Sequence, residues 1–145
     1  MVVGANDGML HGFNADTGNE VFAYLPHRLL RGGRANNKIR DLSRQRYGHR
    51  YYVDLSPAVN DVFIRPQAGV ERRWNTVTIG GYRAGGRGYF ALNTTHPESF
   101  SNPSNAVKNI LWEFSDLDDN GLGLTFSPPL MTMTNEPNSA GQGHK

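Results

Sequence analysis

The side chains best suited to chemistry gather in two stretches. In Asp116-Leu117-Asp118-Asp119-Asn120-Gly121, Asp116, Asp118 and Asn120 hold positions 1, 3 and 5 of a calcium loop and Gly121 holds position 6. Oxygen ligands at alternate positions converge on one hard cation when the chain wraps around it. Position 12, however, is Ser127 rather than the bidentate Glu that completes such a shell. An acidic turn joining two sheets is therefore the competing reading, and the favoured one. The second stretch is basic: Arg28, Arg31, Arg34, Lys38, Arg40, Arg44, Arg46 and Arg50 lie together, opposed only by Asp41. With Tyr47, Tyr51 and Tyr52 as stacking surfaces, it suggests a nucleic-acid or anionic-surface site. Clustered charge alone is unspecific, and a solvated loop or a protein-docking surface explains it better.

Other chemistries find less support. Gly80-Gly81 through Gly85-Gly86 and Gly88 has the density of a phosphate loop but lacks its Lys-Ser/Thr and a following helix. The five histidines, His11, His27, His49, His96 and His144, show no metal-ligand spacing; His11 and His49 are expected to act as structural hydrogen-bonding groups. The absence of cysteine excludes disulfides, thiolate zinc sites and a cysteine nucleophile. No Ser-His-Asp set and no catalytic carboxylate pair suggests itself.

The elements that must position these residues are short. Seventeen Gly and eight Pro in 145 residues imply many turns, and no window reaches the roughly 18 apolar residues of a membrane helix. Val2 to Phe13 reads as a hairpin across Asn6-Asp7-Gly8, with Asp-Gly expected in a two-residue type I′ turn. A turn at Asn14–Asn19 then leads to a strand Glu20–Leu25 closed by Pro26. Residues 27–50 interrupt the pattern as a largely solvated insertion with a short helix around Lys38–Arg46. Further strands are expected at Tyr51–Asp54, Ala58–Ile64, Trp74–Gly80, Tyr89–Leu92, Ile110–Phe114 and near Thr125–Met133, with Trp74 and Trp112 as core aromatics.

A repeat organises these strands. Phe13-Asn14-Ala15-Asp16-Thr17 is echoed by Ala91-Leu92-Asn93-Thr94-Thr95, and each is followed by an apolar-aromatic strand with a Glu. Leu55-Ser56-Pro57 is likewise echoed by Phe126-Ser127-Pro128. The chain thus reads as mostly β: a partial β-propeller of about two blades of antiparallel strands with quinoprotein-like repeats, plus a basic, partly helical insertion. Residues 1–26 form a partial blade, 27–50 the insertion, 51–115 a complete blade, 116–134 the start of another and 135–145 a flexible tail. A closed propeller needs about four to eight blades, so a fragment of a longer propeller is expected.

The motifs that carry these turns resemble those of the PilY/PilC family of type IV pilus tip adhesins. The similarity runs through Gly4-Ala5-Asn6-Asp7-Gly8-Met9-Leu10-His11, Thr17-Gly18-x-Glu20, Tyr24-x-Pro26 and His49-x-Tyr51-x-Val53-Asp54. It continues in Trp74-x-Thr76-x-x-x-Gly80-Gly81, Gly85-Gly86-Arg87-Gly88-Tyr89-x-Ala91-Leu92, Leu111-Trp112-Glu113-Phe114 and Leu122-Gly123-x-Thr125. Gly12, Asn14 and Asn93 stand where Ala, Asp and Asp are usual, and Asn still caps a turn. The resemblance implies an exported, non-enzymatic protein of a Gram-negative bacterium, at the pilus tip, the cell surface, or the outer membrane and periplasm. It further implies roles in pilus extension and retraction, adhesion and twitching, with minor pilins or other pilus components as partners and host or abiotic surfaces as ligands. It also implies calcium, bound in a part of the propeller beyond this segment. The alternatives are a quinoprotein-dehydrogenase fragment, which needs quinone and calcium ligands and often a vicinal cysteine pair, and a nucleic-acid module acting through residues 28–50.

Overall fold

Apolar runs punctuated by Gly, Asn and Asp become seven strands in the computed structural model, which describes residues 1–31 and 38–132. The first sheet has the order β1 (Val2–Gly4), β2 (Leu10–Phe13), β3 (Glu20–Tyr24). The second has the order β4 (Ala58–Ile64), β5 (Arg73–Gly81), β6 (Gly88–Asn93), β7 (Ile110–Ser115). Every pairing is antiparallel between sequence neighbours. The second sheet is therefore a complete four-stranded meander, and the first has the last three strands of one.

The registers make the repeat explicit. Gly12 pairs with Phe22 just before a bulge, and Ala91 pairs with Trp112 just before the corresponding bulge. Two residues earlier, Leu10 pairs with Tyr24 and Tyr89 with Phe114. The asparagines at the ends of β2 and β6 both cap turns. Asn14 Oδ1 accepts from the amides of Asp16 (2.8 Å) and Thr17 (3.0 Å), and Asn93 Oδ1 accepts from the amide of Thr95 (3.1 Å).

The sheets stack face to face. Because strand residues alternate between faces, Leu10, Phe22 and Tyr24 share one face of the first sheet. They pack against Phe90 and Leu92 of the second, together with Tyr82, Tyr52, Val53 and Leu29. Tyr24 and Tyr82 approach Phe90 with ring centroids at 5.3 and 6.0 Å, while Phe100, from the 94–109 connection, stacks on Phe22 at 4.5 Å. The opposite face of the second sheet carries Val77, Ile79 and Ala91, with Val62, Ile64, Tyr89, Leu111 and Met131 packed beside them.

Four local expectations are corrected. Asp7 does not adopt the positive φ of a type I′ turn; only Gly8 does (φ 96°), within a five-residue loop, 5–9. A hydrogen bond from the Met9 amide to Asp7 Oδ1 (2.9 Å) holds this wider loop. Residues 51–54 form bends rather than a strand, because their amides are drawn to different partners. Tyr52 N donates to Asn6 Oδ1 (3.3 Å) and Val53 N to Ala5 O (3.4 Å), while nearby Leu55 N reaches Gly81 O (3.2 Å). The segment thereby ties the first sheet to the second. Its close approach requires Gly85, where a Cβ would lie 1.9 Å from the Tyr52 carbonyl oxygen. The strand expected near Thr125–Met133 is not formed over residues 125–132, which have no ladder partner. Finally, Trp74 and Trp112 are not core residues but 60% and 45% exposed, because no described element covers them.

Most described residues of the insertion are exposed. Its one-turn helices α1 (His27–Leu30) and α2 (Lys38–Asp41) bring buried Leu29, with Ile39 and Leu42, onto the core between the sheets. The side chain of Lys38 lies outside the described residues, as do Arg34 and the 135–145 tail.

Candidate functional site

The charged residues singled out by sequence meet at the joint where the two sheets are tied together. Arg28, on α1, lies one turn after β3, and Asp116 lies one residue after β7. They are 88 residues apart in sequence, yet Arg28 Nε donates to Asp116 Oδ1 and Nη2 donates to Oδ2 (2.9 Å). This fork-to-carboxylate geometry is the strong form of the interaction. Only 24% and 20% of the two side chains remain exposed. The guanidinium hydrogen bond holds the Asp116 carboxyl below its ordinary pKa, overriding the opposing effect of burial.

Beside this pair, the Tyr24 hydroxyl donates to Glu113 Oε1, and the His27 amide donates to the same oxygen (2.9 Å). Burial, followed by the neighbouring Glu113 carboxylate, pushes both the Tyr24 and the Tyr82 phenols up, so both remain neutral hydroxyls at ordinary pH. Glu113 is the lone charged residue of β7, between Trp112 and Phe114, the one signal of this contact legible in sequence. Nothing in the sequence pointed to Tyr24 as its partner.

The remaining candidates separate. Asp118 Oδ2 accepts from Ser115 N (2.9 Å) and Ser115 Oγ (3.3 Å), Asp119 Oδ1 caps Gly121 N (2.8 Å), and Asn120 is exposed. With both Asp116 oxygens on Arg28 and Asp118 turned back onto Ser115, the Asp116, Asp118 and Asn120 set does not fit a calcium shell as arranged. Among the described residues, no three His, Asp or Glu side chains converge on a metal position. In the basic stretch, Arg28 is not a surface cation. Asp41 takes Arg44 at 3.0 Å and Arg50 at 3.1 Å, and Arg31 Nε donates to His27 Nε2 (2.9 Å). Arg40 and Arg46 are exposed. Arg31, Arg44 and Arg50 are exposed as well, while Arg28 is drawn into the joint.

The two structural histidines behave as such: His49 meets Asn6 Nδ2 at 3.2 Å, and His11 lies between Asp7 and Glu20. In the β5–β6 connection, Arg83 adopts a positive φ of 48°, lies 5.7 Å over the Phe126 ring and reaches to 3.6 Å from Asp54 Oδ2. That separation is an electrostatic contact only, since the oxygen has no hydrogen-bond partner. What the joint does chemically is fix one sheet against the next. It orders an ion pair and a hydroxyl–carboxylate hydrogen bond at an interface.

Comparison with known proteins agrees with this architecture. The family model of the PilY1 beta-propeller domain matches residues 1–137. The type IV pilus biogenesis factor PilY1 of Pseudomonas aeruginosa strain UCBPP-PA14 is 44% identical over 127 residues, covering 88% of this chain and 10% of that protein. Two PilY1 homologs of Xylella fastidiosa strain Temecula1 are 37% and 38% identical over 134 and 127 residues. These matches cover 92% and 88% of this chain, but 9% and 7% of those proteins. The chain thus spans about a tenth of the length of the curated relatives it matches. No solved structure matches. The chain belongs to the PilY1 beta-propeller family.

Proposed function

We propose that this chain, a member of the PilY1 family, serves as a non-enzymatic blade pair in a type IV pilus biogenesis factor. Its work is to hold a propeller wall rigid while the protein contacts minor pilins or other pilus components at the cell surface or in the envelope. The observation that carries this reading is the stacked repeat of one four-stranded and one three-stranded sheet, tied by Arg28–Asp116 and Tyr24–Glu113. The named relatives supply the pilus context. A further blade is proposed to cover the second sheet's open face, where Trp112 and Phe114 are 45% and 43% exposed. Among the described residues, no helix is long and apolar enough to cross a membrane.

Roles in adhesion, twitching and the balance of extension and retraction follow from the same reading. The test is a chromosomal Phe90→Ala substitution in a piliated bacterium carrying this protein, with surface pili counted by electron microscopy and twitching zones measured on agar. Loss of surface pili and twitching, with both restored by a wild-type copy, supports the proposal. Normal pili and twitching, together with proof that the variant protein has lost its fold, overturn it.

A further inference from the structure

The first sheet departs from the repeat at one position. His11 pairs across its sheet with Val3 and Ala23, just as Phe90 pairs with Gly80 and Glu113. The second sheet thus buries a phenyl ring completely where the first places an imidazole with 16% of its side chain exposed. The imidazole is engaged at both nitrogens: Nδ1 lies 2.5 Å from Glu20 Oε1 and Nε2 2.9 Å from Asp7 Oδ2. A neutral imidazole donates from one nitrogen only and would set a lone pair against the second carboxylate. Only the imidazolium satisfies both.

The groups around the ring are few. The 5–9 loop contributes Asp7, β3 contributes Glu20 and β1 contributes no titratable side chain, while Phe13 stacks at 6.2 Å. The loop that Asp7 caps is also the seat of the segment linking the sheets. Through Asn6 and Ala5 it holds His49 and the amides of Tyr52 and Val53.

We propose that His11 is a proton-controlled pin. Charged, it ties the 5–9 loop to β3 and so steadies the seat of the 49–53 segment. On giving its proton to solvent it releases one of the two carboxylates and loosens that seat. The Glu20 hydrogen bond, reinforced by Asp7, raises the imidazole pKa above its ordinary value against the opposing effect of burial. For a raised pKa, the contribution is complete below the unfolded value of about 6.5 and is lost as pH rises through the folded value.

The test uses histidine-labelled 145-residue chain, following ring resonances by NMR and amide exchange at Met9, Tyr52 and Val53 across the same pH series. His11 is expected to titrate above the ordinary histidine value, and protection of the three amides to fall about three- to tenfold through that midpoint. His11→Phe, which copies the equivalent Phe90 and keeps a ring in place, is expected to fold and to lose the step. Asp7→Asn with Glu20→Gln is expected to bring the His11 midpoint down. An imidazole titrating at or below the ordinary value, or a protection step that persists in His11→Phe, overturns the proposal.

Discussion

The two sheets carry the same pattern and meet different surroundings. Phe22 and Trp112 occupy equivalent positions, as do Tyr24 and Phe114, yet the first of each pair is 6% and 9% exposed and the second 45% and 43%. The difference lies in what covers each face, because Phe22 and Tyr24 are buried by the second sheet and by Phe100. Among the described residues, no further sheet lies beyond β7 to cover Trp112 and Phe114 in the same way. Stacking on a following sheet, rather than any property of the strand itself, thus turns an aromatic strand position into core. A contiguous exposed aromatic face of this kind marks an interaction surface.

The contrast yields graded expectations. Phe90→Ala, which empties the plug between Tyr24 and Tyr82, is expected to cost about 3–5 kcal/mol in chemical denaturation. Arg28→Ala leaves Asp116 without its fork and is expected to cost about 1.5–3 kcal/mol, the range for hydrogen bonds to charged groups. The same pair sets an acid dependence. Because the Asp116 pKa is lowered in the fold, its contribution is present above the unfolded carboxylate value of about 3.9 and lost as pH falls through the folded value. Denaturation curves of wild type and Asp116→Asn are therefore expected to converge in acid and separate near neutrality. Trp112→Ala, at the position equivalent to Phe22, is expected to cost under about 1 kcal/mol in this chain. A cost equal to that of Phe22→Ala would break the comparison.

Much of the fold is legible in the sequence because strand alternation and turn chemistry are local. The Asn14 and Asn93 caps, the β4 to β7 meander and the glycine connection at 82–87 all follow from residues within a few positions of one another. What is not legible is long-range. Tyr51-Tyr52-Val53-Asp54 has the composition of a strand, yet its amides serve different partners and it bends. Arg28 looks like one of many solvated cations until the fold places Asp116, 88 residues away, against it. Asp116 offers both a calcium-loop reading and the favoured acidic-turn reading, because sequence spacing records which oxygens are near in the chain, not which cation reaches them. Trp112 looks like core because a sequence cannot say which neighbour covers it.

The further blade proposed over the second sheet's open face would repeat the way the first sheet's face receives the second. It is tested most directly by labelling a cysteine placed at Trp112, since this segment has no cysteine of its own, and following the modified peptide by mass spectrometry. The position is expected to react readily in the 145-residue chain and to be protected at least tenfold in the longer protein that contains it, in line with burial of an aromatic core position. Equal, rapid labelling in both would show that no further blade covers this face.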